Sequence, residues 1–253
     1  MKNMNNFEDP RENPKIEGGN AAPNEIRYPR KRIEREVTEE MGNPNLAEKA
    51  NRENDLITDV NSIILAGGFY FDDKTKGFRH GYEHNPKAVA AMEKKQNELR
   101  VIREQFGEEL DLFRLKSFLR CRAEKLFWPT ERFLDKLYQP ETIEKLAGKL
   151  NGSETKQLLE FIQQGLARPL GTLLENKWIC EQAVAEGNRG DENYSLMKES
   201  YSRKDVGECE HNLLCLSKLL PVLPEDVQEQ NQRLVDETLH LLDWVKEKGQ
   251  WQQ

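Results

Sequence analysis

Long apolar runs are missing from this 253-residue chain: nowhere do about 18 apolar residues follow one another, the length a membrane helix needs. Met1 to Pro14 places polar Asn, Glu and Asp where a signal peptide carries its apolar stretch. We expect no membrane span and no signal-peptide-dependent secretion, and we place the protein inside the cell as a soluble chain. Cysteine is scarce too. Cys121, Cys180, Cys209 and Cys215 are too few for a chain of this size to depend on disulfides, so they read as reduced thiols. Local catalytic signatures are also lacking. There is no G-x-S-x-G elbow, and Leu65-Ala66-Gly67-Gly68 is not a phosphate loop, because neither G-x-x-x-x-G-K-[ST] nor a strand-to-helix G-x-G-x-x-G occurs. Carboxylates are too abundant for any pair of them to be diagnostic. An enzyme assembled from distant residues is the lesser reading, and we expect no catalytic set and no cofactor.

Metal-ligand spacings are equally thin. Cys209, His211 and Cys215 would need remote His240 as a fourth ligand, without the short paired spacing of structural zinc sites. His80 and His84 are four apart, but Gly81 lies between them and no H-E-x-x-H accompanies them. We read Cys215 as a core thiol, His211 as a surface residue, and expect no metal.

Charge, by contrast, is plentiful. Charged residues make up 33% of the chain where about 25% is usual, with 38 basic against 45 acidic residues and a net charge of −7. That balance resists non-specific coating of nucleic acid, which we expect only through a local basic patch. The apolar 36% must therefore be concentrated in segments.

Met1 to about Asn45 is Asn, Glu, Pro and Gly with few aromatics, which buries too little to offset the entropy of ordering; we expect a disordered polar arm over 1–45. Its run Tyr28-Pro29-Arg30-Lys31-Arg32-Ile33-Glu34-Arg35 reads as an import or nucleic-acid-contacting segment or as a solvated charge cluster; the acidic residues that follow favour the cluster. Leu46, Ala50, Ile57, Val60, Ile63 and Ile64 keep near-helical spacing up to Gly67-Gly68. Phe69-Tyr70-Phe71 and Phe78 to Tyr82 then flank a Gly-containing turn, a small β-hairpin that must pack on helices to persist.

Asn85 caps and Pro86 opens a helix expected to end at Gly107. The next, Glu108 to Phe127, carries Leu110, Phe113, Leu115, Phe118 and Leu119 on more than one stripe and should be central. Trp128-Pro129-Thr130 stops it, and Thr130 can cap a short helix through Leu137. Short units follow: Glu141 to Leu150, a turn at Asn151-Gly152, then a helix capped by Ser153 and broken or kinked at Gly165 and Arg168-Pro169. Polar Gly187 to Asn193 is the expected internal boundary. Leu196 to Leu220 reads as one or two helices, Pro221 and Pro224 as a rigid turn, and Glu225 to Lys248 as a closing helix. Its Val227, Asn231, Leu234, Thr238, Leu241 and Val245 alternate spacings of four and three. The expected class is all-α. It comprises an irregular helical bundle over 46–187 with a small β-hairpin near 69–82, and a C-terminal helical hairpin as a subdomain over 191–249.

The most specific local feature is the set Arg114, Lys116, Arg120, Arg122 and Lys125, behind acidic Glu108, Glu109 and Asp111. That polarity complements the helix dipole without any ligand. Arg120 and Arg122 lie about 200° apart around a helix, so they cannot share one solvent face, and at least one should meet an acidic partner, within the fold or across an interface. Ser117-Phe118-Leu119-Arg120-Cys121-Arg122, followed by Lys125-Leu126, resembles the arginine-rich central helix of a GINS subunit, part of the complex that activates the eukaryotic replicative helicase. Ser153-Glu154 through Leu158, Leu159, Phe161 and Ile162 is similar to the helix that follows in that family, so the likeness covers residues 108–175. The family's small β-rich module has no counterpart in Asp191 to Gln253, and its N-terminal helical pattern is not evident before Glu108. The expected function is a non-catalytic interaction or scaffold subunit of an intracellular multiprotein assembly. A GINS-like replication accessory subunit is its named form; a host-interacting bacterial or viral protein and a helical enzyme without local motifs are rivals.

Overall fold

The computed structural model describes residues 29–126, 131–185 and 203–249. Among them are eight α-helices and one two-stranded antiparallel hairpin, so the all-α expectation holds. They run α1 (Pro29–Glu40), α2 (Leu46–Ala66), β1 (Phe69–Asp72), β2 (Gly77–His80), α3 (Pro86–Ala123), α4 (Glu131–Leu137), α5 (Pro140–Leu146), α6 (Gly152–Ala185), α7 (Arg203–Leu219) and α8 (Glu225–Gly249). Single 3-10 turns lie at Gly81–His84, Ala147–Lys149 and Leu220–Val222.

The polar arm ends earlier than its composition implies, because 29–45 is ordered. In α1, Ile33 and Val37 stand four apart on one face and are fully buried. Arg30–Glu34, Arg32–Glu36 and Arg35–Glu39 pair at the same spacing along the helix, which supports it in water. Two buried apolar side chains in twelve residues, with Thr38 beside them, are too sparse to register in a compositional average. Residues 1–28 lie outside the described residues.

The helix end expected at Gly107 is absent, and at Gly165 and Arg168-Pro169, where a break or a kink is expected, the helix does not break. α3 runs 38 residues through Gly107, about 57 Å at 1.5 Å per residue. A glycine mid-helix costs only about 1 kcal/mol, less than the burial on either side returns. The helix opens as expected, with Asn85 Oδ1 accepting from the Lys87 and Ala88 amides and Pro86 in the first turn. It closes at Ala123 rather than Phe127, where Lys125 turns left-handed (φ 55°) and the Leu126 amide reaches back to the Cys121 carbonyl. α6 likewise continues through Gly165 and Pro169 to Ala185. Its cap is Asn151, not Ser153: Asn151 Oδ1 accepts from the Glu154 amide at 2.9 Å while Glu154 Oε2 accepts from the Asn151 amide at 3.0 Å. Thr130 and the expected boundary at 187–193 lie outside the described residues.

Two apolar clusters form on different faces of α3. Leu110, Phe113 and Cys121 join Ile33, Val37 and Leu46 of α1 and α2. Leu115, Phe118 and Leu119 enter a larger core with α5, α6, α7 and α8, where Ile162, Leu216 and Leu241 are buried. The C-terminal hairpin thus shares one core with the rest of the bundle. On α8, Asn231, Thr238, Leu241 and Val245 are buried and Val227 and Leu234 partly so, as the alternating spacing requires.

α7 crosses α6 at close range. A Cβ added at Gly165 would stand 2.4 Å from Asn212 Oδ1, so the absence of a side chain there sets how near the two helices come. Where the hairpin meets α2, a Cβ on Gly81 would stand 1.9 Å from the Gly67 carbonyl oxygen, and the Gly81 amide donates to Gly68 O at 2.8 Å. The hairpin is fastened there by backbone against backbone.

Candidate functional site

The cations of α3 meet their carboxylates inside the fold. Arg114 is only 4% exposed. Its Nη1 donates to Glu53 of α2 at 2.6 Å, its Nη2 to the Ala50 carbonyl at 3.2 Å, and its guanidinium covers the Phe133 ring at 3.9 Å. Burial lowers its affinity for its proton, and the Glu53 carboxylate works in the other direction. Arg103, one face along, bridges Glu53 at 3.3 Å and Asp111 at 2.8 Å. Asp111 has its carboxyl pushed up by burial, against the pull of Arg103.

Lys116 and Arg120, four apart, form a second group. Lys116 Nζ donates to Glu40 of α1 at 2.5 Å and lies 3.3 Å from Glu154 of α6. Arg120 holds Glu154 at 2.8 Å and also Glu40. Glu154 is 2% exposed, and the helix-capping bond to Asn151 engages its remaining oxygen. Burial works against the charge of Glu40, and the bonds from Lys116 and Arg120 outweigh it, leaving the carboxyl below its ordinary value. The acidic partner required for Arg120 or Arg122 is therefore internal, and this group ties α1, α3 and α6 together.

Arg122 and Lys125 are placed differently. Both are exposed; Arg122 bonds Gln164 and lies over Phe161 at 5.0 Å. In the run at 30–35, Arg30, Arg32 and Arg35 face carboxylates of their own helix, and Arg32 also bonds Glu124 at 2.7 Å.

The cysteine and histidine candidates do not converge. Cys209 and Cys215 are fully buried, and burial pushes their thiols up to about 11 and about 12. His211 Nε2 is 3.7 Å from Cys215 Sγ, but the same nitrogen is 2.7 Å from the Tyr138 carbonyl, which only an N–H can satisfy. A nitrogen carrying that proton cannot take the thiol's, so no activated cysteine arises here. His211 is half-buried rather than at the surface, and His240 is exposed on α8. His84 meets the Tyr70 ring at a tilt, centroids 4.3 Å apart, and His80 meets the Phe69 ring likewise at 4.7 Å. Among the described residues no three His, Cys, Asp or Glu side chains are arranged to hold a metal ion.

What residue-type searching missed is the hairpin's outer face. The register pairs Phe69 with His80 and Phe71 with Phe78, which puts all four on one side of the sheet. Phe69, Phe71 and Phe78 are 63, 51 and 77% exposed. Phe71 and Phe78 meet edge to face at 5.4 Å. Tyr70 and Arg79 occupy the opposite side, where Arg79 pairs with Asp72 at 2.9 Å. Period-two parity in Phe69-Tyr70-Phe71 was a usable signal, had the hairpin been assumed to expose one face.

No described helix is long and apolar enough to cross a membrane. No family model, no curated protein and no solved structure matches this chain.

Proposed function

We propose that this chain is a non-catalytic interaction subunit of an intracellular multiprotein assembly, and that it meets a partner protein through the aromatic face of its hairpin. The observation that carries this is three phenylalanines, each more than half exposed, side by side on a hairpin whose base is fastened. Contiguous apolar exposure on a built element marks binding surfaces, since it otherwise raises solvation cost and invites aggregation. The three phenylalanines carry no charge, Arg79 behind them is held by Asp72, and Lys76 in the turn faces Asp73, so the face offers little to phosphates. An uncharged apolar groove on a partner protein is the fitting complement.

A Phe71→Asp/Phe78→Asp double variant tests this. Both side chains are exposed, so circular dichroism and melting temperature stay close to the parent, while partners captured by affinity purification from the native host disappear. An unchanged partner set refutes the hairpin surface. Arg122→Glu/Lys125→Glu, run in parallel, asks the same of the basic residues that face solvent.

The GINS-like reading is the named form of this class. Its support is that the two stretches carrying the resemblance lie against each other: Phe118 meets Phe161 at 5.2 Å and Arg120 meets Glu154 at 2.8 Å. Co-purification with the remaining GINS subunits is its test.

A further inference from the structure

Buried serines inside helices ordinarily return their hydroxyl to the carbonyl one turn back. Thr238 does the equivalent in α8, donating to Leu234 O at 2.7 Å. Ser117, 2% exposed in the C-terminal part of α3, does not: its hydroxyl is buried and has no protein partner. A buried hydroxyl left unpaired is costly, so its surroundings bear on what satisfies it.

Ser117 lines a cavity of about 20 Å³ where α1, α2, α3 and α4 meet. Its other walls include Asn51 and Asn54 of α2, the Arg30–Glu34 pair of α1, and Arg114. The volume exceeds the roughly 10–15 Å³ that one water requires. Arg30 already faces Glu34 at 2.9 Å, and Arg114 faces Glu53, which lies outside the lining, at 2.6 Å, so each cation of the wall has its own carboxylate and the wall presents donors and acceptors together. A small neutral guest that both donates and accepts fits such a wall.

We propose that this cavity is a binding site for one internal water molecule, which bridges the Ser117 hydroxyl to polar groups of α1 or α2. That water belongs to the joint that holds the first two helices on α3, so removing its anchor loosens the joint.

Ser117→Ala in the full-length chain tests this with opposite signs for the two cases. With a bridging water, the variant loses an anchor and its melting temperature drops by about 2–4 °C for a chain of this size. Without one, deleting an unpaired buried hydroxyl leaves the melting temperature unchanged or raises it, and that result overturns the proposal. A crystal structure of the parent at better than about 2 Å gives the direct readout. An ordered water within hydrogen-bond distance of Ser117 Oγ and of one group on α1 or α2 is expected; a dry cavity, or a water that does not touch Ser117, refutes the site.

Discussion

Two faces of the same stretch of α3 are held by different physics. The face toward α1 and α2 gathers seven buried apolar side chains among the described residues; the face toward α5 to α8 belongs to a cluster of twenty-three. The smaller side compensates with paired charge: buried Glu53 with Arg114 and Arg103, and exposed Glu40 with the buried Lys116 and half-buried Arg120. Apolar contact is tolerant of register, whereas a buried guanidinium needs its carboxylate at one place. The difference teaches that α1 and α2 lean on ion pairs far more than the C-terminal helices, which are positioned mainly by shape, with α6 sharing one buried carboxylate, Glu154, with α3. Each side should therefore fail under its own perturbation.

The largest effect should come from stranding a charge. Glu53→Ala leaves Arg114 buried without its carboxylate and should destabilise the chain by about 3–5 kcal/mol in chemical denaturation. A Glu53→Leu/Arg114→Leu pair should recover much of that loss; no recovery would mean that Arg114 acts through packing on Phe133 instead. The shape-held side should break by crowding. Gly165→Ala drives a methyl group into Asn212 Oδ1 and should cost about 1–3 kcal/mol, with Asn212→Ala partly restoring stability in the double variant.

Acid should separate the two sides. Glu40 titrates below its ordinary value in the folded chain, so its contribution is complete above about pH 4.5 and is lost as pH falls through the lower folded value. The parent should therefore lose stability faster than Glu40→Gln as pH falls below about 4.5. Hydrogen exchange should show α1 opening before α6. Parallel pH profiles for the two proteins would show that the pair does not secure α1. The smallest expected change is a gain. At Gly107 an added Cβ meets nothing closer than the flexible Arg103 side chain at 3.6 Å, so Gly107→Ala should stabilise α3 by about 0.5–1 kcal/mol.

Much of the fold was legible from spacing. The limits of α2, the hairpin, the Asn85 cap and the buried stripe of α8 follow from neighbours in sequence. The five cations were visible as a cluster, but their separation into three held within the fold and two facing solvent was not. α1 was hidden because Ile33 and Val37 sit in a charged, proline-flanked stretch. The hairpin's exposed face was hidden because no local rule says which side of a two-stranded sheet the body leaves open.

The sequence by itself determined where most helices form beyond α1, which of their stripes are apolar, and that a turn separates two aromatic runs, because these depend on residues within a few positions of each other. Only the tertiary structure decided that Arg114 meets a carboxylate 61 positions away, that Arg120 meets others 34 and 80 away, and that Gly107 and Pro169 lie inside helices instead of ending them. The physical reason is scale. A glycine or proline signal amounts to about 1–3 kcal/mol, and the burial of several side chains along a packed helix outweighs it.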